Sequence, residues 1–249
     1  MTQEGMNNES TLFDQKANEP PKSEADSTAY SCCGRMIVMP SNNTGRAVVM
    51  LSDSYPGRIG NLHTPDSIRK PKPVPFALDN GVYGAWSNGR EWDEVKYYKA
   101  LDFYDPLECR WTVVPDWVAD KKLTLKKWDE HSDRIRQKGF TLAFAVQDGM
   151  SPDDVPDDAD VIFVGGSTEW KWRTLPIWGR EFERVHAARV NTYRLLWMAD
   201  DCGVESCDGT GFTRGDQKQW NGLCEYLEES TAGKRNQREL FAADSFLNI

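Results

Sequence analysis

Polar and glycine residues follow five short apolar runs of the sequence, at the point where each run ends. The phrases are Asp79-Asn80-Gly81 after FAL, Pro115-Asp116 after WTVV, Gln147-Asp148-Gly149 after LAFAV, Gly165-Gly166-Ser167 after VIFV and Asp208-Gly209-Thr210-Gly211 after VESC. Taken singly, each phrase is explained by an ordinary turn or helix cap. Taken together, three carboxylates, an amide and an exposed Gly-Gly backbone at equivalent positions indicate one polar pocket.

The apolar runs that precede these phrases are typical of strands covered on both faces, because they are continuous rather than alternating. Seven strands are predicted: MIVM 36–39, AVVML 47–51, FAL 76–78, WTVV 111–114, LAFAV 142–146, VIFV 161–164 and VESC 204–207. Helices are predicted over 91–102, 122–138 and 192–202, and Asn191 is placed to cap the last of them.

This alternation of strands and helices favours a parallel α/β architecture in a single domain. A chain of 249 residues has the usual size of a (β/α)8 TIM-type barrel, whose sites lie at the carboxyl ends of its strands. The five phrases would then meet at one rim. We assign residues 31–249 to the barrel. Residues 1–30, rich in Glu, Asn, Ser and Pro, are expected to form a disordered tail.

The composition restricts what the chain can bind. Thirty Lys and Arg against thirty-nine Asp and Glu give a net charge of -9. This charge repels nucleic acid at long range, so a nucleic-acid contact requires a local basic patch. No apolar run is long enough to cross a membrane, and the first residues lack the basic and apolar regions of a secretory signal. We expect a cytoplasmic protein whose six cysteines are reduced.

Two strings near the end of the predicted barrel, HAARVNT at 186–192 and GVESCDGTG at 203–211, resemble motifs of the tRNA-guanine transglycosylase superfamily. They are most similar to the His-x-Gly-Arg-Val-Asn and Asp-Ser-x-Asp-Gly-Thr-Gly strings of the phage and bacterial branch that places 7-deazaguanines in DNA. The resemblance covers roughly residues 35–215 and implies a (β/α)8 barrel, which in so short a chain can be irregular or incomplete. It implies that Asp208 attacks C1′ of a nucleotide and expels guanine through a covalent aspartyl-glycosyl intermediate.

Earlier segments resemble the base pocket of the same family. DNGVY at 79–83 resembles its Asp-Ser-Gly-Gly-Tyr/Phe motif, and the segments ending at Asp116, Gln147 and Gly166 resemble its other base-binding strands. The resemblance implies that Asp79 is the second catalytic group, which moves a proton between the departing and the incoming base. The implied base-binding residues are Asp116, Gln147, Gly165, Gly166 and Tyr83.

The implied partners are DNA and a free base. The guanine nucleotide must be flipped or single-stranded, because stacking guards its anomeric carbon. The incoming base is a 7-deazaguanine such as 7-cyano-7-deazaguanine, with the aminomethyl and amidino forms as alternatives. An accessory protein could supply DNA binding, and a phage-encoded protein would act in the host cytoplasm. Candidate nucleic-acid contacts are Arg189, Asn191 and Arg194, then Lys171, Arg173 and Arg214, although a solvated helix face explains such cations equally well.

The sequence departs from the tRNA enzymes of this family after the nucleophile. Those enzymes carry a Cys-x-Cys-x2-Cys…His zinc site there, whereas Cys224 is the only cysteine after Asp208 in this sequence and no histidine follows it. We therefore predict no zinc or other cofactor, and tRNA is the less favoured substrate. A tRNA-guanine transglycosylase, an N-glycoside hydrolase with water as acceptor and a non-catalytic nucleic-acid-binding barrel are the alternatives.

Overall fold

The computed structural model describes residues 36–41 and 45–235, so the expected tail over 1–30 lies outside the described residues. One parallel sheet has the strand order β1-β8-β7-β6-β5-β4-β3-β2. Its strands are β1 Ile37–Pro40, β2 Asn61–His63, β3 Phe76–Leu78, β4 Cys109–Val113, β5 Leu142–Val146, β6 Val161–Val164, β7 Val185–Ala187 and β8 Ser206–Gly209.

Helices connect the strands and cover the outside of the sheet. They are α1 Arg46–Ser54, α2 Val82–Ser87, α3 Glu94–Phe103, α4 Lys121–Arg136, α5 Thr168–Glu181, α6 Tyr193–Asp201, α7 Gly211–Arg214 and α8 Gln217–Ala232. Side chains cap the amino ends of the longer helices: Asp120 accepts a hydrogen bond from Leu123 N in α4, and Ser167 accepts one from Trp170 N in α5. Within the described part of the chain, no helix is long and apolar enough to cross a membrane.

The first and second strands meet and nearly close the sheet into a barrel. Isolated parallel bridges join Val38 to Ile59 and Ser41 to Leu62. Val38 N donates to Arg58 O, and Gly60 N donates to Val38 O, both at 2.9 Å. The fold is therefore the expected α/β (β/α)8 barrel, with one incompletely sealed seam. The expected irregularity lies at this β1–β2 seam, whereas β8 pairs with both β7 and β1.

A buried arginine stabilises the seam. Arg58 lies three residues before β2, and its Nε donates to Met36 O at 3.2 Å. Its Nη2 donates to Tyr226 Oη at 3.2 Å and to Ser230 Oγ at 2.9 Å, both on α8. One guanidinium thus connects the two strands of the seam to the last helix of the barrel.

The core has an outer layer between sheet and helices and an inner layer inside the barrel. Large buried side chains such as Tyr97, Trp178 and Trp197 fill the outer layer. The inner layer is apolar on six strands: Ile37, Met39, Leu62, Ala77, Trp111, Val113, Ala143, Ala145 and Val161, with Phe163 packed against them. On β7 and β8 the inward positions are polar, and the His186 ring lies 4.7 Å from Trp111 and 4.9 Å from Phe163.

Six of the seven predicted strands overlap observed ones, and the bounds of FAL, LAFAV and VIFV are confirmed. The prediction of a strand over 47–51 is wrong, because Val48 and Leu51 are buried while Met50 is 56% exposed, which is the spacing of helix α1. The last strand begins at Ser206 rather than Val204 and continues to Gly209, so Asp208 lies within it and pairs with Met39.

The three predicted helices are observed, with one correction to their caps. The cap of α6 is Thr192, whose side chain accepts a hydrogen bond from Leu195 N, and not Asn191. Strands β2 and β7 escaped prediction because each has three residues, one of them a histidine, and therefore shows no apolar run.

Replacing Arg58 by methionine should destabilise the barrel. The variant leaves the Tyr226, Ser230 and Met36 acceptors without their charged donor, so the free energy of unfolding should fall by about 2–4 kcal/mol. Urea unfolding followed by tryptophan fluorescence measures this difference. Arg173→Met, on the exposed face of α5, is the matched control and should change stability by less than about 0.5 kcal/mol; an equal loss in both variants would contradict the role of Arg58.

Candidate active site

A cavity of ≈ 340 Å³ lies at the carboxyl ends of the strands. Each of the eight strands contributes to its lining within three residues of its carboxyl end: Ser41, Thr64, Asp79, Asp116, Gln147, Gly165, Ala188 and Asp208. The structure thus brings together nine of the thirteen residues to which the sequence assigns a catalytic, base-binding or nucleic-acid role: Asp79, Tyr83, Asp116, Gln147, Gly165, Gly166, Arg189, Asn191 and Asp208.

Strand periodicity explains why these side chains face the cavity. Ala77, Ala145 and Phe163 point into the barrel. Successive side chains of a strand alternate between its two faces, so the residues two positions later face the same interior. Those residues are Asp79, Gln147 and Gly165.

Asp208 is a buried carboxylate, 7% exposed and surrounded by donors. Ser41 Oγ donates to its Oδ2 at 2.8 Å, and Arg189 N donates to its Oδ1 at 3.0 Å. His186 Nε2 lies 3.3 Å from the same Oδ1. Burial opposes ionisation of Asp208, but the hydrogen bond and charge of His186 and the hydrogen bonds from Arg189 N and Ser41 Oγ hold its pKa below the usual value. The group is therefore ionised at neutral pH.

The histidine beside Asp208 is held from its other side. His186 Nδ1 lies 2.8 Å from Ser206 Oγ, and its ring stacks on Phe163 with an interplanar angle of 14°. An ionised carboxylate can only accept, so Nε2 donates to Asp208; in the neutral ring Nδ1 then accepts from the Ser206 hydroxyl. This chain orients the histidine that supports the carboxylate.

Asp79 lies across the cavity in a different environment. Its Oδ1 accepts a long hydrogen bond of 3.3 Å from Gly81 N. Burial first, and then the negative charge of Asp208, raise the pKa of Asp79 to about 7. One cavity therefore contains an ionised carboxylate and another that keeps its proton to a higher pH than usual, which is the pairing that acid catalysis at a glycosidic bond requires.

Amide side chains surround the third carboxylate. Asn80 Nδ2 donates to Asp116 Oδ1 at 2.8 Å, and Gln147 Nε2 donates to its Oδ2 at 2.5 Å. Burial raises the pKa of Asp116 to about 6, although the two amides and the charge of Arg189 oppose this shift. Its remaining lone pairs can accept hydrogen bonds from a ligand, and the two amides fix the direction in which it faces.

Gln147 also connects this corner to the backbone that surrounds it. Its Oε1 accepts from Ala119 N at 3.0 Å and from Gly166 N at 3.1 Å. Gly166 has φ +66°, and a Cβ there would lie 2.7 Å from both Asp148 Oδ2 and the Trp170 ring. A residue with a side chain cannot replace Gly166 without moving this wall of the cavity.

Arg189 contributes its backbone and its side chain to different parts of the cavity. Its φ of 57° places it in the left-handed region, and in this conformation its N–H reaches Asp208. Its guanidinium donates to Gly166 O and lies 4.7 Å from the centroid of the Tyr83 ring. The side chain therefore lies across the cavity and not out in solvent.

Asn191 connects the loops after β7 and β8. Its Oδ1 accepts from Gly211 N at 2.8 Å, and Val190 N donates to Asp208 O at 2.6 Å. A Cβ at Gly209 would lie 2.2 Å from Val190 O, so glycine is required for this approach. The contacts of Asn191 are thus with the protein, although it also lines the cavity.

The other cations predicted to contact nucleic acid lie elsewhere. Arg194, Arg173 and Arg214 are exposed and outside the cavity lining. Lys171 is buried, 1% exposed, and its Nζ donates to Ala188 O, so it cannot hold a phosphate in this conformation. Burial lowers the pKa of Lys171 to about 8.

Sequence reasoning assigned no site role to Ser41, Asn80 or His186. Ser41 follows the run MIVM and Pro40, so the rule that identified the other five strand ends would have found it. Asn80 lay inside the quoted motif DNGVY, but its contact with Asp116 joins segments 36 residues apart. His186 points into the barrel from a three-residue strand that the sequence pattern does not reveal.

No family model and no curated protein matches this sequence. The resemblance to transglycosylases therefore stays a prediction from the sequence motifs. Among residues 36–41 and 45–235, no group of three or more His, Cys, Asp or Glu side chains is placed to hold a metal ion. The four cysteines of these segments are free: Cys109, Cys202, Cys207 and Cys224.

The two carboxylates should affect stability in opposite ways. Because the folded pKa of Asp79 is raised to about 7, its ionisation destabilises the fold as the pH rises from about 4 to about 7. The advantage of Asp79→Asn over the wild type in free energy of unfolding should therefore increase between pH 5 and pH 8, by about 2 kcal/mol.

Urea unfolding at pH 5 and pH 8 measures this change. Asp208→Asn is the matched comparison: its lowered pKa means that the ionised form is stabilising throughout this range, so the variant should be less stable at both pH values. An Asp79→Asn advantage that does not depend on pH would refute the raised pKa.

Proposed function

We propose that this protein is a base-exchange transglycosylase that replaces guanine in DNA with a 7-deazaguanine derivative through a covalent aspartyl-glycosyl intermediate. The observation that carries the proposal is a pair of carboxylates that line one cavity in different surroundings. Asp208 is buried among three hydrogen-bond partners and its pKa is lowered, whereas Asp79 is partly buried with one long hydrogen bond and its pKa is raised. Two carboxylates with such different environments are the usual arrangement for covalent catalysis at an anomeric carbon.

In the first step the ionised Asp208 attacks C1′ of the nucleotide. The C1′–N9 bond breaks, a C1′–oxygen bond to Asp208 forms, and the departing guanine takes a proton from Asp79. Ser41, His186 and the Arg189 amide hold the attacking carboxylate in place while water is excluded.

In the second step an incoming 7-deazaguanine reverses this chemistry. Its N9 attacks C1′, its N9 proton passes to Asp79, and the Asp208 carboxylate is released. Two displacements at the same carbon retain the configuration of the anomeric centre.

The corner around Asp116 has the groups needed to read a guanine. The carboxylate can accept hydrogen bonds from the N1–H and amino groups of a purine's amidine edge. Asn80 and Gln147 fix its orientation, and Gly165 leaves room for a flat ring beside Gln147. Tyr83, which is 42% exposed, supplies an aromatic face at the entrance.

The proposal favours DNA over tRNA because of the motifs at 186–192 and 203–211 and because the sequence lacks the cysteine and histidine ligands of the tRNA enzymes after Asp208. The donor must reach the cavity as a flipped or single-stranded guanine nucleotide. Because the net charge of -9 repels DNA at long range, an accessory DNA-binding protein is the alternative to a local basic patch on this chain.

Nucleoside mass spectrometry tests the function directly. Purified protein is incubated with DNA or tRNA and 7-cyano-7-deazaguanine, and the polymers are then digested. The wild type should place deazaguanine in DNA, and Asp208→Asn should lower incorporation by at least about 10³-fold, because the covalent step is lost. Asp129→Asn, an exposed site on α4, is the matched control and should retain activity.

The other outcomes distinguish the alternatives. Incorporation into tRNA alone would identify a tRNA-guanine transglycosylase. Guanine release without incorporation would identify an N-glycoside hydrolase, in which water is the acceptor. Nucleic-acid binding that survives Asp208→Asn, with no release of guanine, would indicate a non-catalytic barrel.

The rate of guanine release should depend on the protonation of Asp79. Since this group must donate a proton in the first step, the single-turnover rate should fall about tenfold per pH unit above about pH 7. Rapid-quench measurements between pH 5.5 and 8.5 test this on a guanine-containing oligonucleotide. Asp79→Asn should be slow at every pH and lack this decline, and a wild-type rate that stays constant to pH 8.5 would exclude Asp79 as the acid.

A further inference from the structure

The Arg189 side chain occupies the part of the cavity in which a base would be read. Its guanidinium lies against the Tyr83 ring, with 4.7 Å between Cζ and the ring centroid, and donates to Gly166 O. Its positive charge also acts on Asp116 and lowers the pKa of that carboxyl. The Arg189 side chain thus contacts two residues of the proposed base site and changes the pKa of a third.

A guanine base can make the same kinds of interaction as the Arg189 guanidinium. The N1, C2, N2 and N3 atoms of guanine form a planar guanidine unit that stacks on aromatic rings and donates hydrogen bonds to carboxylates and carbonyls. An arginine side chain ends in the same planar unit, with donors in a fixed fork. Tyr83, Gly166 and Asp116 therefore offer one set of contacts for which Arg189 and a guanine base compete.

The backbone of Arg189 is held independently of its side chain. Arg189 N donates to Asp208, and the buried Lys171 donates to the carbonyl of the preceding Ala188. These bonds fix the left-handed turn from both sides. The guanidinium can therefore leave Tyr83 and Gly166 by rotation of its side chain while the amide stays on Asp208.

We propose that the Arg189 guanidinium is a built-in substitute for the base, which a nucleic-acid substrate displaces by drawing it onto a backbone phosphate. This inference rests on the proposed function and names the substrate class for that site: a guanine nucleotide within a phosphodiester chain, in preference to a free nucleoside or base. A phosphate offers the guanidinium a bidentate ionic partner, which the Tyr83 ring and the neutral Gly166 carbonyl do not. A free base must displace the side chain without that partner.

Equilibrium binding of free bases tests the competition. Isothermal titration calorimetry with guanine and with 7-cyano-7-deazaguanine is performed on the wild-type chain and on Arg189→Asn. Asparagine tolerates a positive φ, and its backbone N–H can still donate the hydrogen bond to Asp208. The variant should bind each base roughly tenfold more tightly, because the competing cation–π contact and hydrogen bond are gone. Arg189→Lys, which keeps the charge without the planar fork, should show a smaller gain.

Two outcomes of this titration overturn different claims. Equal or weaker base binding by Arg189→Asn, with measurable binding by the wild type, would overturn the competition and leave the proposed function intact. Failure of both proteins to bind any of the bases would overturn the proposed base exchange, and this inference with it. Arg194→Ala, a cation outside the cavity, is the matched control and should bind as the wild type does.

A second measurement tests the role of the phosphate. Single-turnover guanine release is compared between a short single-stranded oligonucleotide containing one guanine and free deoxyguanosine. The wild type should prefer the oligonucleotide, and Arg189→Asn should reduce that preference at least about tenfold by losing the phosphate contact. An unchanged preference would show that Arg189 does not couple the pocket to a phosphate.

Discussion

A negative charge buried inside the barrel is the constraint on which the rest of the site depends. Asp208 lies on strand β8, and only 7% of its own surface is exposed. A carboxylate buried in this way must accept hydrogen bonds to remain ionised. Six strands fill the interior with apolar side chains, whereas β7 and β8 place His186 and Ser206 there. Ser41 from β1 and the left-handed turn at Arg189 complete the set of donors. The polar part of the interior is thus built around one carboxylate.

The same charge determines the chemistry of its neighbour. Asp79 faces Asp208 across the cavity, and burial together with repulsion from that ion makes its proton hard to remove. Asp116, between the Asn80 and Gln147 amides, remains an oriented acceptor. The three aspartates thereby differ because of their surroundings: Asp208 is held ionised, Asp79 keeps its proton to a higher pH, and Asp116 is an oriented hydrogen-bond acceptor. The proposed roles of nucleophile, acid and base-reading group come from the motif resemblance, and these three environments are compatible with them.

Local sequence patterns predicted the parts of the site that depend on strand ends. The rule that parallel strands present their carboxyl ends to one rim placed Asp79, Gln147 and Asp208 in one cavity without any knowledge of distances. The sequence could not reveal the interactions between distant segments, such as the contact of Arg189 with Tyr83, because no local pattern encodes them. The three-residue strand of His186 escaped prediction because it shows no apolar run. Helix α1 was predicted as a strand because an apolar run alone does not distinguish strand from helix.

In the proposed reaction, the covalent intermediate itself changes the strength of the proton carrier. Burial and, second, repulsion from Asp208 raise the pKa of Asp79. When Asp208 forms a bond to C1′ it loses its negative charge, so the repulsive part of this shift disappears and the pKa falls. Asp79, having given its proton to guanine, is then more stable as a carboxylate and is ready to take the N9 proton of the incoming base. When the second displacement restores the Asp208 charge, the pKa of Asp79 rises again and the group retains the proton it has just received. Asp79 would alternate as acid and base because its pKa follows the charge of Asp208.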